Sequence, residues 1–306
     1  MMNHPEKTTI QHYLDWSRAG KPALWRYALV VVLGFVVWVL GGILPIRFVF
    51  EPLGIDAQTN PVALYYTFLP GFVGIPLLVW LLLRRPPYSV ALPAWPPRLS
   101  DYGLGVLFQW LAMVIMYLLA AEVSYRGFEH LSAGLMLLVA AALVGIFIQT
   151  GLEELFFRGL LAQATHRISR WLPLVVGLQA YLFASMHIGN LQSEGETLWK
   201  WVLYLTPALA WGWIAWRTGS LVFPMALHFG NNAFLQLFVA TQGDVIEGIA
   251  PFVATPPTVN PVQHLALFTL GQVLITLLLV EALWRRRAAR ASVFNSDPDK
   301  PEPKRE

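Results

Sequence analysis

The amino-acid sequence predicts an all-α fold, a polytopic transmembrane helical bundle of about eight spans. Hydrophobic residues make up 56% of its 306 residues and charged residues only 13%, and the mean hydropathy is +0.54. These values lie outside the usual range for soluble domains. In addition, long apolar segments recur along the chain and several end at arginines, which is the pattern of helices that cross a bilayer.

Eight segments are long and apolar enough to be predicted as spans. They cover residues 24–50, 62–83, 101–121, 133–164, 171–188, 197–216, 220–240 and 264–284. The connections are polar or rich in proline, and residues 86–100 form an interfacial linker because prolines break a helix. The chain therefore divides into a cytoplasmic N-terminal segment (1–23), a membrane domain (24–284) and a disordered cytoplasmic tail (285–306) with mixed charges and prolines.

Basic residues at the span ends predict the orientation of the bundle. With the N terminus in the cytoplasm, the following fall on one side: Lys21, Arg26, Arg84, Arg85, Arg98, Arg167, Arg170, Arg217 and Arg285. Because cytoplasmic loops are enriched in Lys and Arg, we expect both termini to be cytoplasmic. Short loops and the absence of organelle signals predict the plasma (inner) membrane of a bacterium. A net charge of +3 with this placement predicts no nucleic-acid partner, and the absence of cysteine excludes disulfides and thiolate chemistry.

A charged motif interrupts the fourth predicted span at Glu153, Glu154 and Arg158. A charge at the centre of a membrane helix costs at least about 2.5 to 3.5 kcal/mol, so such residues indicate a functional site. Glu154 and Arg158 are four residues apart and can pair on one helix face, whereas Glu153 points about 100° away. An unpaired, poorly solvated carboxylate suits a general base, and Glu153 is therefore the candidate.

Three further polar residues lie within apolar segments. His187 is near the end of the fifth predicted span, and His228 and Asn232 are one helical turn apart in the seventh. At about 1.5 Å per helical residue, these residues and Glu153 lie roughly 12 to 24 Å from the cytoplasmic ends of their spans. Helix tilt and side-chain reach can close these differences, which predicts one polar pocket near mid-membrane.

Several functions remain open on these residues alone. Buried polar side chains can simply hold membrane helices together. A zinc hydrolase would use His187, His228 and Glu153 as ligands with water in the fourth position, although the sequence has no His-Glu-x-x-His motif. A transporter or a non-enzymatic scaffold is a third possibility, but the buried charges are concentrated in one half of the chain rather than in matching halves.

Three motifs in order on successive segments resemble the CPBP family, the CAAX-processing and bacteriocin-processing intramembrane proteases. The motifs are Glu-Glu-x-x-x-Arg at Glu153, Glu154 and Arg158, Phe-x-x-x-His at Phe183 and His187, and His-x-x-x-Asn at His228 and Asn232. They span residues 153–232, and the layout of eight spans extends the resemblance to the domain 24–284.

The resemblance implies a metal-independent endopeptidase without a cofactor, with a conical polar active-site cavity. It implies that Glu153 and His187 activate a water, and that His228 and Asn232 stabilise the oxyanion. Glu154 and Arg158 would be a supporting pair that orients Glu153. The implied substrate is a membrane-associated peptide or protein, of which a prenylated CAAX tail is the form used by the best-known relatives. The Asn231-Asn232 pair departs from a simple motif, since either amide can face the pocket.

Overall fold

A computed structural model describes residues 12–57, 60–125, 127, 133–190, 196–241, 250–255 and 260–295. This part of the chain is mostly helical, which confirms the predicted all-α class. Its α-helices are α1 (Leu24–Val39), α2 (Ile43–Pro45), α3 (Pro61–Tyr66), α4 (Leu69–Leu83), α5 (Leu99–Ala120), α6 (Ala133–Glu153), α7 (Ala162–Ile168), α8 (Leu172–His187), α9 (Thr197–Thr218), α10 (Val222–Leu237) and α11 (Pro261–Asn295).

Other helix types and a small sheet complete the fold. The 3₁₀ helices are Tyr13–Arg18, Glu51–Leu53, Pro87–Val90 and Ile188–Asn190, and the π-helices are Ile46–Phe50 and Glu154–Leu161. Three strands, β1 (Val123–Tyr125), β2 (Val239–Thr241) and β3 (Phe252–Ala254), form a sheet in the order β1-β3-β2. β3 pairs antiparallel with β1 and parallel with β2. The sheet thus ties the segments that follow α5 and α10 to the segment that precedes α11.

Within the described residues, six helical segments are long and apolar enough to cross a membrane. They are Leu24–Leu53, Val62–Leu83, Leu99–Ala120, Gly134–Ile168, Leu172–Asn190 and Pro261–Arg290. Large apolar side chains on them point outward, including Phe48, Leu118 and Leu278, as expected of a surface that faces lipid. The chain is therefore a multi-pass membrane protein. Helices α9 and α10 occupy the sixth and seventh predicted spans but are not among the six, so the count of eight stays a prediction.

Helix α10 is the central element of the bundle, since it packs against α5, α6 and α9. Its contact with α5 is close because both helices carry small residues there. A Cβ atom on Gly105 would lie 2.5 Å from the Cβ of Ala226, so only glycine fits at this position. This packing places one face of α10 against the charged half of α6.

Hydrogen bonds between several basic span ends place these ends close together in the structure. Lys21 N donates to Leu83 O at 2.8 Å, Arg167 Nε donates to Pro22 O at 3.0 Å, and Tyr13 N donates to Gly219 O at 2.9 Å. These contacts bring the start of α1 and the ends of α4, α7 and α9 together. We call this end of the bundle, with the 3₁₀ helix Tyr13–Arg18 packed on it, the basic end.

The C-terminal segment differs from the prediction of a disordered tail from residue 285. Helix α11 continues through Asn295, and residues 296–306 lie outside the described part of the chain. An ion pair accounts for part of this order, because Arg287 Nη2 lies 2.6 Å and Nη1 3.1 Å from the two carboxylate oxygens of Asp101 on α5. A bidentate pair of this kind holds the helix extension against the bundle.

Candidate active site

The charged motif lies where α6 changes into a π-helix. Glu153 is the last residue of α6, and the π-helix Glu154–Leu161 follows without a break in the chain direction. The amide of Ala162 donates to Phe157 O, five residues earlier, which is the π-helical pattern. The spacing of the motif in the sequence predicts a regular α-helix here. The wider turn changes the angular relation of every side chain after Glu153, and such turns are frequent at functional sites.

The predicted pairing of Glu154 with Arg158 is confirmed. Arg158 Nη1 lies 3.1 Å from Glu154 Oε1, and both side chains are fully buried. The guanidinium makes no well-aligned hydrogen bond within the described structure, but its Cζ lies 4.3 Å from the ring centroid of Phe183 and 5.6 Å from that of Trp211. The Glu154 carboxylate and the ring faces of Phe183 and Trp211 therefore stabilise the buried cation together.

Besides Arg158, the Glu154 carboxylate contacts His228. A contact with Glu153 was expected instead. His228 Nδ1 lies 2.9 Å from Glu154 Oε1, and the imidazole packs on the indole of Trp211 with ring centroids 4.6 Å apart. The resemblance implies that the Glu154–Arg158 pair orients Glu153. Because α10 lies directly against this part of α6, the pair contacts a histidine on the neighbouring helix instead.

Glu153 lies between two imidazoles. Its Oε2 is 3.5 Å from His228 Nε2, and its Oε1 is 3.9 Å from His187 Nε2. His187 is the last residue of α8, its Nδ1 lies 2.7 Å from Phe183 O, and its side chain is 19% exposed, against 4% for Glu153. The structure thus brings together three of the sequence-predicted residues from three helices, with His187 on the more open side.

Asn232 is connected to this cluster by Gln149, a residue that the sequence-based prediction missed. Asn232 Nδ2 donates to Gln149 Oε1 at 3.0 Å, and the Gln149 side chain in turn interacts with the Glu153 carboxylate. Gln149 is four residues before Glu153 on the same face of α6, so its spacing was the available signal. Asn231 faces away towards α5, where it accepts from Gln109 Nε2 at 3.2 Å.

The N-terminal 3₁₀ helix closes the cluster from the basic end. Tyr13 is 2% exposed, and it lines a small cavity together with Arg158 and Gln179. Burial, and secondarily the nearby charge of Glu154, raises the pKa of the Tyr13 phenol well above its ordinary value, so the side chain is neutral. A neutral aromatic residue therefore separates the buried charges from this end of the bundle.

A larger cavity lies elsewhere and has a different character. It has a volume of about 660 Å³ and is lined by apolar residues from the end of the first span and the starts of α4 and α6, among them Phe48, Leu69 and Leu138. No member of the charged cluster lines it. Among the described residues, no group of three or more His, Asp or Glu side chains is placed to hold a metal ion. The conical shape expected for a polar cavity stays a prediction.

Fold and site together define a polytopic membrane protein with a buried acid–histidine centre. Residues 131–234, which include all six of the proposed site residues, match the family described as Type II CAAX prenyl endopeptidase Rce1-like. This part of the chain is therefore similar to the CAAX-processing protease family that the sequence motifs resemble.

A relative of similar length extends the likeness beyond the motifs. The chain is 29% identical over 292 residues to the protein named "Uncharacterized protein YyaK" of Bacillus subtilis (strain 168), an alignment that covers 89% of this chain and 95% of the relative. No solved structure is significantly similar to the chain. The likeness to YyaK therefore runs through the flanking helices as well as the motif segment.

Proposed function

We propose that the chain is an intramembrane, metal-independent endopeptidase that hydrolyses a peptide bond with a water activated by Glu153 and His187. The observation that carries this proposal is the position of the Glu153 carboxylate, 3.5 Å from one imidazole and 3.9 Å from another. Peptide hydrolysis needs a base for water and hydrogen-bond donors for the oxyanion, and both are available within this cluster.

The tautomer of His187 supports a bridging water. The Phe183 carbonyl oxygen can only accept, so His187 Nδ1 donates to it and carries the proton. In the neutral ring, Nε2 then presents a lone pair towards Glu153 Oε1, and two acceptors 3.9 Å apart do not bond each other. A water molecule can donate one proton to each, which orients its oxygen lone pair for attack on a carbonyl carbon.

Charge balance suggests the role of His228. Its Nδ1 must donate to the Glu154 carboxylate, which only accepts. To donate to an oxyanion as well, Nε2 must also carry a proton, which makes the ring an imidazolium. Two carboxylates, one arginine and one imidazolium sum to zero charge, whereas a neutral His228 would leave the buried cluster with a net negative charge. With Glu153 ionised as the base, the proposed mechanism therefore requires the protonated form of His228.

The proposed reaction then follows in two proton transfers. Glu153 takes a proton from the water while the water oxygen attacks the peptide carbonyl carbon. The developing oxyanion accepts hydrogen bonds from His228 Nε2 and Asn232 Nδ2. Glu153 next gives its proton to the leaving amine, the C–N bond breaks, and the carboxylate is restored. Low exposure of Glu153 to water strengthens each of these electrostatic contacts.

The proposed substrate is a peptide or protein that reaches the site from the membrane. The matched family takes its description from prenylated CAAX tails, so a farnesylated CAAX peptide is the first substrate to test. Because the basic end carries the lysine and arginine residues of the span ends, we place it, with both termini, on the cytoplasmic side of a bacterial plasma membrane.

A cleavage assay in proteoliposomes tests the proposal. The probes are an internally quenched peptide with a farnesylated CAAX terminus and the same peptide without the lipid. Replacing Glu153 with Gln removes the base at nearly constant shape, so we expect kcat to fall about 10²- to 10⁴-fold, the usual contribution of general base catalysis. The control is Glu51→Gln, whose carboxylate pairs with Arg47 at an exposed site. Cleavage by Glu153→Gln at the wild-type rate would contradict the mechanism.

A further inference from the structure

Side-chain amides from four helices form a chain beside the charged cluster. They are Gln109 on α5, Gln149 on α6, Asn231 and Asn232 on α10, and Gln272 on α11. The three glutamines are buried, at 2%, 8% and 5% exposure respectively. A buried amide without partners costs several kcal/mol in an apolar environment, so five together in a membrane bundle require an explanation.

Every hydrogen bond in this chain points in the same direction. Gln109 Nε2 and Gln272 Nε2 both donate to Asn231 Oδ1, at 3.2 and 3.3 Å. Asn231 Nδ2 donates to Asn232 Oδ1 at 3.1 Å, and Asn232 Nδ2 donates to Gln149 Oε1 at 3.0 Å. Since the oxygen of Gln149 is occupied in this way, the group that it turns to Glu153 is its NH₂.

The Glu153 carboxylate sets this direction. An ionised carboxylate can only accept, so it selects the NH₂ of Gln149, which leaves the Gln149 oxygen for Asn232. The same logic then fixes Asn232 and Asn231 in turn, because each amide has one oxygen and one NH₂. The chain ends at two glutamine donors on α5 and α11, and hydrogen bonds aligned in one direction polarise one another favourably.

We propose that Gln109, Asn231 and Gln272 are positioning residues for the reaction, which act by holding the Asn232 amide with its NH₂ towards the oxyanion. This inference rests on the proposed function. Without donors on Asn231 Oδ1, the direction of the chain is held from the Gln149 end alone, so the Asn231 and Asn232 amides turn over more easily. An Asn232 amide that has turned over presents its oxygen where a donor is needed. An oxygen at that position repels the oxyanion instead of stabilising it.

Two donors on one oxygen make the two glutamines partly redundant. Gln272 Oε1 has no hydrogen-bond partner in the described structure, so Gln272 contributes to the chain as a donor alone. Either glutamine is therefore sufficient to hold Asn231, and only the loss of both releases it. This redundancy distinguishes positioning of Asn232 from general packing, for which the effects of two substitutions on different helices would add.

The experiment compares Gln109→Met, Gln272→Met and the double variant with the farnesylated peptide probe in proteoliposomes. We expect each single variant to keep kcat within about threefold, and the double variant to lose about 10- to 100-fold in kcat, equivalent to one oxyanion donor or less, with KM within about twofold. The control is Thr276→Val, since Thr276 is buried on α11 and, among the described residues, its hydroxyl donates to the backbone carbonyl oxygens of Gln272 and Val273. Thermal unfolding is measured for every variant.

The outcomes separate this inference from the proposed function. If wild-type protein cleaves the probe, Glu153→Gln does not, and the double variant keeps its kcat, only the positioning role is overturned. The inference is wrong if each single variant lowers log kcat by half or more of the decrease in the double variant. It is also wrong if Thr276→Val lowers kcat as much as the double variant does. In both cases packing accounts for the result. If wild-type protein cleaves neither peptide, the proposed function fails and the positioning role fails with it.

Discussion

The Nδ1 atom of His228 lies 2.9 Å from Oε1 of Glu154. The same oxygen is 3.1 Å from Nη1 of Arg158, while the other carboxylate oxygen has no hydrogen-bond partner in the described structure. One oxygen therefore connects the charged motif of the fourth span to the histidine of α10. A substitution of Glu154 should consequently affect His228 more directly than it affects Glu153.

Replacing Glu154 with Gln tests this connection. The glutamine oxygen can still accept from His228 Nδ1, but the negative charge that favours an imidazolium is lost. A hydrogen bond between charged groups contributes about 1.5 to 3 kcal/mol, so we expect kcat to fall about 10- to 100-fold. The measurement is steady-state cleavage, with Glu281→Gln as control because Glu281 pairs with Arg217 and Arg285 at the basic end. Unchanged kcat in Glu154→Gln would separate Glu154 from the function of His228.

Removing Arg158 should act on folding as well as on turnover. Arg158→Ala leaves Glu154 buried with His228 as its only cationic partner among the described residues, and breaking a buried ion pair costs about 3 to 5 kcal/mol. We expect less folded protein in size-exclusion chromatography and a lower unfolding temperature. The double variant Arg158→Met/Glu154→Gln removes both charges and should recover part of the folded amount. If Arg158→Ala folds normally and loses only kcat, Arg158 belongs with the catalytic residues.

Metal analysis distinguishes the glutamate mechanism from a zinc hydrolase that uses His187, His228 and Glu153. With Glu153 as the base, extensive dialysis against a chelator should leave activity intact, and the active protein should contain far less than one zinc per chain. Inhibition by a chelator alone is insufficient evidence, since added metal can also occupy and block a His/Glu site. The deciding result is stoichiometric zinc that leaves and returns together with activity, which would establish the zinc mechanism instead.

Arg85 should control the attachment of the N-terminal 3₁₀ helix. Its guanidinium donates to Trp16 O, and also to Tyr27 Oη and Gln163 Oε1 at 2.9 Å each. Burial lowers the pKa of Arg85 and the Tyr27 contact partly offsets this, but an arginine remains charged at neutral pH. We expect Arg85→Met to lower the free energy of unfolding by about 2 kcal/mol or more and to speed tryptic cleavage after Arg18. The neighbouring Arg84→Met, at an exposed position, should do neither.

The sequence was sufficient to predict a membrane protein and the ion pair within the charged motif. Long apolar segments between arginines predict spans whatever their packing, and the spacing of Glu154 and Arg158 predicts their ion pair, which the structure contains. The end of α11 was not predictable in the same way. Its extension depends on Arg287 meeting Asp101, a contact between residues far apart in the chain that no local pattern encodes.

The finer geometry of the candidate site depended on tertiary contacts. Helical spacing cannot show that Glu154 turns to His228, because that contact requires α10 to lie against α6. The amide chain was missed for a related reason, since Gln109 and Gln272 lie far from the motifs in sequence and resemble ordinary polar residues of a span. The π-helix has no sequence signal that distinguishes it from an α-helix of the same composition.

The π-helical stretch Glu154–Leu161 also makes the site sensitive to chain length. A protein one residue shorter in this stretch could close the same span with ordinary α-helical turns, so insertion into the membrane would survive the deletion. Because a π-helix turns less per residue than an α-helix, the residues beyond the stretch would keep nearly the same direction, and the change would fall on the side chains within it. Gln163 would then keep its contact with the carbonyl oxygen of Tyr13, now at 2.9 Å, whereas the side chains between Glu154 and Leu161 would be displaced relative to the neighbouring helices. In an alignment, a single-residue gap at this point would therefore mark a chain that keeps the membrane bundle and its N-terminal cover but presents the charged motif differently to α8 and α10.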